Sequence, residues 1–304
     1  MPSNPSPAKA NPKPDWDERE FMASLEAWLS LEEHGFQQTR SEVIAFHRAL
    51  GLHLWEQGIW LQSILFQSFH CDLLSVTYGQ PPKPGVIKIM TRGQKGFSAR
   101  FETEIRLLQH CAAIPGVIRI ADHGRFRDFP YHLCEKVPGV PLEHATWPPH
   151  PDPLKKKLET ILETTSVLMA LYRAGVVHRD VAPDHIFISQ SGVTLLDFGM
   201  ASNLAQCDEP QRQKYLGNDL SNLGFTLAHL LLERVRFPFG NPKALAAAWL
   251  SQREKLSQRL AYQPLFELVE GLIRANREIP LPQGPVVTSM REAHARLKTE
   301  VDRL

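Results

Sequence analysis

Apolar residues alternate or run together in one part of the chain and follow a helical period elsewhere. The strand pattern predicts a β-hairpin over 61–78 with its turn at 70–72, and a buried strand over 85–90 that carries a single lysine, Lys88. Two further short apolar strands flank the turn Ser-Gln-Ser-Gly and predict a hairpin over 185–196. Strands therefore account for only a small part of this chain.

A helical period of apolar residues covers most of the remaining sequence. The predicted helices are 16–34, 41–57, 101–108, 154–173, 219–232, 242–260, 263–274 and 290–304. Ser41 has a side chain suited to the N-cap of the second helix, and Gly175 can adopt the backbone that ends the fourth. We expect the apolar faces of the first two helices to pack on the strand region as an extension; a separate docking module is the alternative.

Composition places the chain among ordinary globular proteins. It has 304 residues, of which 43% are hydrophobic and 22% charged, and its net charge of +1 provides no general field for nucleic acid. The four cysteines show no Cys-x-x-Cys spacing, which argues against a zinc site or a disulfide framework and favours reduced cytosol. Residues 1–15 are rich in proline and have no apolar signal-peptide core, so we expect a disordered leader there.

Two short motifs carry the strongest chemical signal. They are His178-Arg179-Asp180 and, seventeen positions after the aspartate, Asp197-Phe198-Gly199, with the hairpin over 185–196 fitting between them. The pair resembles the catalytic loop and the metal loop of eukaryotic-type protein kinases. This resemblance implies a two-lobed α+β fold, with a small antiparallel β lobe, a larger helical lobe and an N-terminal helical extension. It also implies ATP and Mg²⁺ as cofactors and a hydroxyl group as phosphoryl acceptor.

The resemblance also suggests a domain organisation. We expect a leader over 1–15, a helical extension over 16–57, an N-terminal lobe over 58–138 and a C-terminal lobe over 139–304. The Pro-Gly turn at 138–139 would then mark the crossover between lobes, with ATP in the cleft.

Four side chains match positions at which kinases carry out catalysis. Lys88 resembles the phosphate-binding lysine, and Glu104 its ion-pair partner; the order Phe-x-x-Glu-Ile-x-x-Leu favours Glu104 over Glu102. By the same resemblance Asp180 would accept or orient the proton of the acceptor hydroxyl. Asp197 would hold Mg²⁺ between the β- and γ-phosphates.

Other positions would support these four. His178 and Arg179 are expected to organise the catalytic loop rather than to contact substrate. Backbone groups near Glu135 and Val137 would bind adenine. Asp219 resembles the helical aspartate that braces the catalytic-loop backbone in the kinase family.

The chain also departs from the family pattern. His185 stands where kinases have a metal-binding asparagine, and an imidazole is a poor ligand for Mg²⁺, so either one metal suffices, Asp184 contributes, or His185 acts through a water. Ala182 stands where serine/threonine kinases usually have a lysine that meets the transferred phosphate. No Gly-x-Gly-x-x-Gly covers the phosphates, and this second departure predicts weak nucleotide binding. Only twenty-two positions separate Asp197 from Asp219, which leaves little room for a peptide-binding platform.

Three functions fit this pattern. The run from Asp180 to His185-Ile186-Phe187-Ile188 resembles bacterial lipopolysaccharide-core kinases, which implies a heptose or Kdo acceptor and peripheral contact with the cytoplasmic face of the inner membrane. We take this as the first hypothesis. A protein serine/threonine kinase with a minimal activation segment is the second, and a pseudokinase scaffold is the third. The sequence predicts neither the acceptor's identity nor the oligomeric state.

Overall fold

The structure is a computed structural model that forms two compact units. It describes residues 18–31, 40–68, 70–91, 97–146, 152–232, 235–239, 241–259 and 263–304. The first unit contains the described residues up to Ser98 together with Ala121–Lys136, and the second contains Ala99–Ile120 and the described residues from Val137 onward. The predicted leader over 1–15 lies outside the described residues.

A five-stranded sheet and two helices make up the first unit. The strands are β1 (Ile59–Gln67), β2 (Cys71–Tyr78), β3 (Lys83–Met90), β4 (Ile120–Phe126) and β5 (Phe129–Glu135), and the helices are α1 (Glu18–Leu31) and α2 (Arg40–Glu56). The strand order is β1-β2-β3-β5-β4, and β3 pairs antiparallel with both β2 and β5.

Strand alternation decides which face of this sheet the helices cover. Ile87 and Ile89 of β3 are fully buried and belong to one apolar cluster, whereas Lys88 between them points to the opposite face. Phe21 of α1 and Leu50 of α2 belong to the same cluster. The two helices therefore share a core with the sheet and cover the face opposite Lys88, as an extension of the β lobe does.

The second unit is mostly helical. Its helices are α3 (Phe97–His110, which begins in the first unit), α4 (Pro153–Arg173), α5 (Glu209–Leu231), α6 (Pro242–Arg259), α7 (Gln263–Ile273) and α8 (Met290–Arg303). Its short strands are β6 (Val140–Pro141), β7 (Val176–Val177), β8 (Ile186–Ser189), β9 (Gly192–Leu195) and β10 (Ser202–Asn203).

Helix packing in this unit centres on α5. It packs on α7, and a Cβ atom at Gly224 would lie only 2.8 Å from Cβ of Leu272, so glycine permits this close approach.

Across the described ranges, every helix is too short or too polar to span a membrane.

Three predicted helix starts were wrong. Helix α3 begins at Phe97, four positions before the predicted start at 101. Helix α2 begins at Arg40, so Ser41 lies inside the first turn and is not the N-cap. Helix α5 begins at Glu209, ten positions before Asp219, because Asp208 and Gln211 form a reciprocal capping box at its start. By contrast Gly175 follows α4 with φ of +75°, as the sequence predicts.

Candidate active site

A buried carboxylate on α5 holds the backbone of the loop that contains Asp180. Oδ2 of Asp219 accepts hydrogen bonds from the backbone N–H of His178 at 3.0 Å and from the Tyr172 hydroxyl at 2.9 Å, and Oδ1 accepts one from the backbone N–H of Arg179. The three hydrogen bonds favour the charged form of Asp219 and lower its pKa. Complete burial has the larger effect and raises the pKa to about 7. The bracing role that resemblance implies for Asp219 is thus visible in its contacts.

His178 connects the loop that contains Asp180 to the one that contains Asp197. Its Nε2 lies 2.9 Å from the carbonyl oxygen of Leu196, and its Nδ1 lies 3.3 Å from the backbone nitrogen of Asp180. Since a carbonyl only accepts and a backbone N–H only donates, the ring carries its proton on Nε2. Burial, reinforced by the neighbouring His185, lowers the pKa of His178 to about 4, so the ring is neutral.

The Arg179 side chain is engaged within the protein. Its Nη1 donates to Oγ of Ser202 at 3.0 Å, and its guanidinium carbon lies 3.9 Å from the ring centroid of Tyr215 on α5. These contacts support the predicted organising role. Sequence reasoning missed Ser202 and Tyr215, because nothing in their local pattern distinguishes them from ordinary surface residues.

Backbone strain is concentrated at this site. Within the described ranges, the non-glycine residues with positive φ are Arg127, Arg179 and Asp197, at 55°, 68° and 54°. Asp197 stabilises its own turn, because its Oδ1 accepts from the backbone N–H of Gly199 at 3.0 Å. Such strain persists where surrounding contacts fix the backbone, and it is common at functional sites.

His185 lies at the centre of a carboxylate cluster. Its Nδ1 lies 2.9 Å from the carbonyl oxygen of Asp180 and 3.5 Å from Oδ2 of the same residue. Its Nε2 lies 3.8 Å from Oδ2 of Asp184 and 4.0 Å from Oδ2 of Asp197. The structure thus brings Asp180 and Asp197 to the same imidazole, and both carboxylates are partly exposed, at 32% and 40%.

The environment of His185 favours an imidazolium over a metal ligand. Burial lowers its pKa, but the carboxylates of Asp184, Asp180 and Asp197 and the Asp180 carbonyl outweigh burial, and the net effect is a raised pKa. Nδ1 donates to the Asp180 carbonyl, and a ring protonated at Nε2 as well has no lone pair left for a metal. Among the three alternatives raised above, this geometry favours a single metal.

The remaining carboxylates fit Mg²⁺ only together with a nucleotide. In the described part of the chain, no group of three or more His, Cys, Asp or Glu residues is placed to hold a metal ion. Mg²⁺ typically takes one or two protein carboxylates and completes its shell with water and phosphate oxygens. Asp197, whose Oδ2 faces the cluster, fits that requirement.

Burial distinguishes the two candidate glutamates on α3. Glu104 is buried, with 3% of its surface exposed, whereas Glu102 is exposed. Glu104 also lies close enough to His178 to raise the pKa of that ring slightly. Burial therefore favours Glu104, although its pairing with Lys88 stays a prediction because the two belong to different units.

The other predicted nucleotide contacts lie in separate elements. Lys88 is half-buried in β3, flanked by β2 and β5. Glu135 is exposed at the end of β5, and Val137 is half-buried two positions later. The adenine-binding role of the last two also stays a prediction.

A serine, not glycine, shapes the β1–β2 turn. Oγ of Ser68 accepts from the backbone N–H groups of His70 and Cys71 at 3.2 and 3.0 Å. Strand β2 begins at Cys71, so the turn lies just before the predicted 70–72. Gln67 of β1 and Asp72 of β2 are the last paired residues before the turn.

Comparison with known proteins identifies the fold. The protein kinase domain family matches residues 82–221, a range that runs from before Lys88 to just past Asp219. The autoinhibited serine kinase domain of the giant muscle protein titin superposes with a TM-score of 0.62, covering 82% of this chain and 83% of that one at 14% identity. The chain therefore has a protein-kinase fold. The predicted fold class is thereby confirmed.

Curated relatives of this kinase-like chain are bacterial. The probable serine/threonine-protein kinase pknA2 of Bifidobacterium longum is 29% identical over 52% of this chain and 24% of its own length. The serine/threonine-protein kinase pkn2 of Myxococcus xanthus is 36% identical over 36% of this chain and 13% of its own. PknL of Mycobacterium tuberculosis is 28% identical over 53% of this chain and 39% of its own. The chain thus spans less than two fifths of each, and these names favour the second hypothesis over the first.

Proposed function

We propose that this protein is an ATP- and Mg²⁺-dependent protein serine/threonine kinase with a minimal activation segment. The observation that carries the proposal is the cluster in which His185 joins Asp180 and Asp197, on a loop braced by Asp219. The relatives' names support a protein acceptor. A scaffold would have no chemical need for this set of aspartates and for Lys88 together.

The proposed mechanism transfers the γ-phosphoryl group to a serine or threonine hydroxyl. Asp180 orients the hydroxyl and takes its proton as the new oxygen–phosphorus bond forms and the bond to the β-phosphate oxygen breaks. Asp197 would hold Mg²⁺, which when bound neutralises the phosphate oxygens, and Lys88 would bind the phosphates. His185, whose charged form the neighbouring carboxylates favour, lies beside the two aspartates.

The short segment after Asp197 suits a kinase that needs little activation. Strand β10 pairs with β7, and the backbone N–H of Leu204 donates to the carbonyl of Gly175 at 2.7 Å, which holds the segment against the chain entering the catalytic loop. Helix α5 then begins at Glu209. We infer that the acceptor binds with few contacts from this segment.

A phosphate-transfer assay tests the proposal. Purified protein with γ-labelled Mg·ATP is offered casein or core lipopolysaccharide, and Asp180→Asn is compared with Asp302→Asn, a matched change at an exposed position of α8. We expect phosphoserine or phosphothreonine on casein, with kcat lowered about 100- to 10,000-fold by Asp180→Asn and unchanged by Asp302→Asn.

Other outcomes would replace this function. Label on lipopolysaccharide but not on casein would establish the sugar kinase instead. Equal transfer by Asp180→Asn would remove the assigned mechanism. If the protein neither transfers phosphate nor binds Mg·ATP, the pseudokinase scaffold becomes the favoured function.

A further inference from the structure

A buried polar pair joins the N-terminal extension to the β1–β2 hairpin. Nε2 of His47 on α2 lies 2.9 Å from Oδ2 of Asp72, the second residue of β2. Their side chains are only 2% and 3% exposed. Neither residue belongs to the candidate active site.

Both members of this pair have further hydrogen-bond partners. Nδ1 of His47 lies 2.9 Å from the carbonyl oxygen of Val43, one helical turn earlier. Oδ2 of Asp72 also accepts from Nε2 of Gln67 at 2.8 Å. Nδ1 donates to the Val43 carbonyl, which can only accept, and Nε2 faces the Asp72 carboxylate, so both ring nitrogens have hydrogen-bond partners inside the protein.

The pair acts where the apolar core no longer holds the hairpin. The cluster beneath α1 and α2 reaches Ile64 and Leu74, but Leu65 and Phe66 nearer the tip are 49% and 55% exposed. Strand β1 is also irregular there, with register shifts on either side of Ser63 and Ile64. Asp72 faces Gln67 in the closing pair of the hairpin, so His47 fixes the tip through a polar contact.

Helix α2 can hold His47 rigidly because it is anchored elsewhere on the sheet. The neighbouring Phe46 packs edge-on against Phe126 at 5.4 Å and Phe129 at 5.5 Å, at the turn between β4 and β5. His47 is therefore presented from a helix whose position is set by aromatic packing rather than by the hairpin itself.

We propose that His47 is a positioning residue for nucleotide binding, holding the tip of the β1–β2 hairpin in place from the sheet face opposite Lys88. The inference rests on the proposed function, because the hairpin corresponds by resemblance to the one that covers the phosphates in kinases. It also assigns a role to the N-terminal helices. A glycine-rich loop would let the backbone adapt to the phosphates. Here the contact with His47 fixes the backbone of the hairpin tip instead.

Two measurements on the full chain test this role. In His47→Leu, amide hydrogen exchange over residues 64–74 should accelerate about 10-fold, and KM for Mg·ATP should rise about 5- to 10-fold while kcat stays within twofold. His53→Leu, at another α2 histidine that contacts Phe126 and Tyr131, should leave both quantities unchanged. Asp72→Asn, whose amide can still hydrogen-bond the ring, should keep KM within about twofold of wild type.

The results also separate this inference from the proposed function. Unchanged exchange in His47→Leu would overturn the brace, and faster exchange with unchanged KM would overturn its positioning role. A wild-type protein without ATP turnover would overturn the proposed function instead. Where His47→Leu alone does not fold, His47→Leu/Asp72→Leu removes the pair without leaving a buried charge and allows the same comparison.

Discussion

Three side chains at the candidate active site owe their chemistry to tertiary surroundings. Burial makes His178 neutral, three carboxylates favour the charged form of His185, and Asp219 is enclosed with three hydrogen-bond donors. The pKa values of these two histidines are shifted in opposite directions, because His178 is fully buried against a carbonyl and a backbone N–H whereas His185 faces acids. Sequence identifies the residues but not these states.

Replacing His185 tests its role as a fixed cation. His185→Ala should lower kcat about 10- to 100-fold, because a positive charge beside the aspartates is lost. His185→Asn should recover part of this loss at raised Mg²⁺, since an amide oxygen can bind a second ion. Metal titrations of initial rate provide the measurement, with His123→Asn at an exposed position of β4 as control. Full activity of His185→Ala would contradict the assignment.

His178 should make the protein less stable in acid. Its pKa is about 4 in the folded protein and 6.5 in the unfolded chain, so unfolding takes up a proton between these values. Its contribution is complete above pH 6.5 and is lost as the pH falls toward 4, by roughly 3 kcal/mol in all. Asp219 has a raised pKa and acts in the opposite direction over a similar range. The contribution of His178 therefore has to be separated experimentally from that of Asp219.

Urea unfolding of wild type and His178→Phe at several pH values separates the two contributions. His178→Phe should be less stable than wild type at pH 7, because the Leu196 carbonyl and the Asp180 N–H lose their hydrogen bonds to the imidazole ring. The difference should shrink as the pH falls from 6.5 toward 4. A difference that stays constant over this range would show that His178 does not titrate as described.

At the scale of elements, α5 contributes more to the site than its apolar pattern indicates. Its first turns carry Tyr215, which stacks on Arg179, and its middle carries Asp219. The stretch over 209–214 contains no apolar residue except Pro210, so apolar periodicity does not indicate the start of the helix. The signal that was available is Asp208 followed three positions later by Gln211, with Pro210 between them.

Asp219→Asn should uncouple this helix from the catalytic loop. The amide nitrogen cannot accept, so one backbone N–H of the loop is left unpaired in a buried site, at a cost of about 1–3 kcal/mol. We expect lower thermal stability and a lower kcat. Ser221→Ala is the control on the same helix, because Oγ of Ser221 is buried without a hydrogen-bond partner among the described residues. Equal effects of the two changes would contradict the bracing role.

At the scale of the molecule, the candidate residues are divided between two units. Lys88 and Glu135 belong to the first, and Glu104, Asp180 and Asp197 belong to the second. The N-terminal helices share the core of the first unit through Phe21, Leu25, Leu50 and Leu54. The domain boundaries predicted from sequence stay predictions, as does the convergence of Lys88 with the two aspartates.

The sequence alone determined the fold class, because the motifs at fixed spacing resemble those of a known fold; the catalytic role of the loop over 178–180 stays a prediction. It also placed Asp219 as a brace. Tertiary structure decided which residues meet across the chain, such as Tyr215 with Arg179 and His47 with Asp72, since these partners lie far apart in the sequence. It also decided the charge of each histidine, because protonation depends on which groups folding places beside the ring.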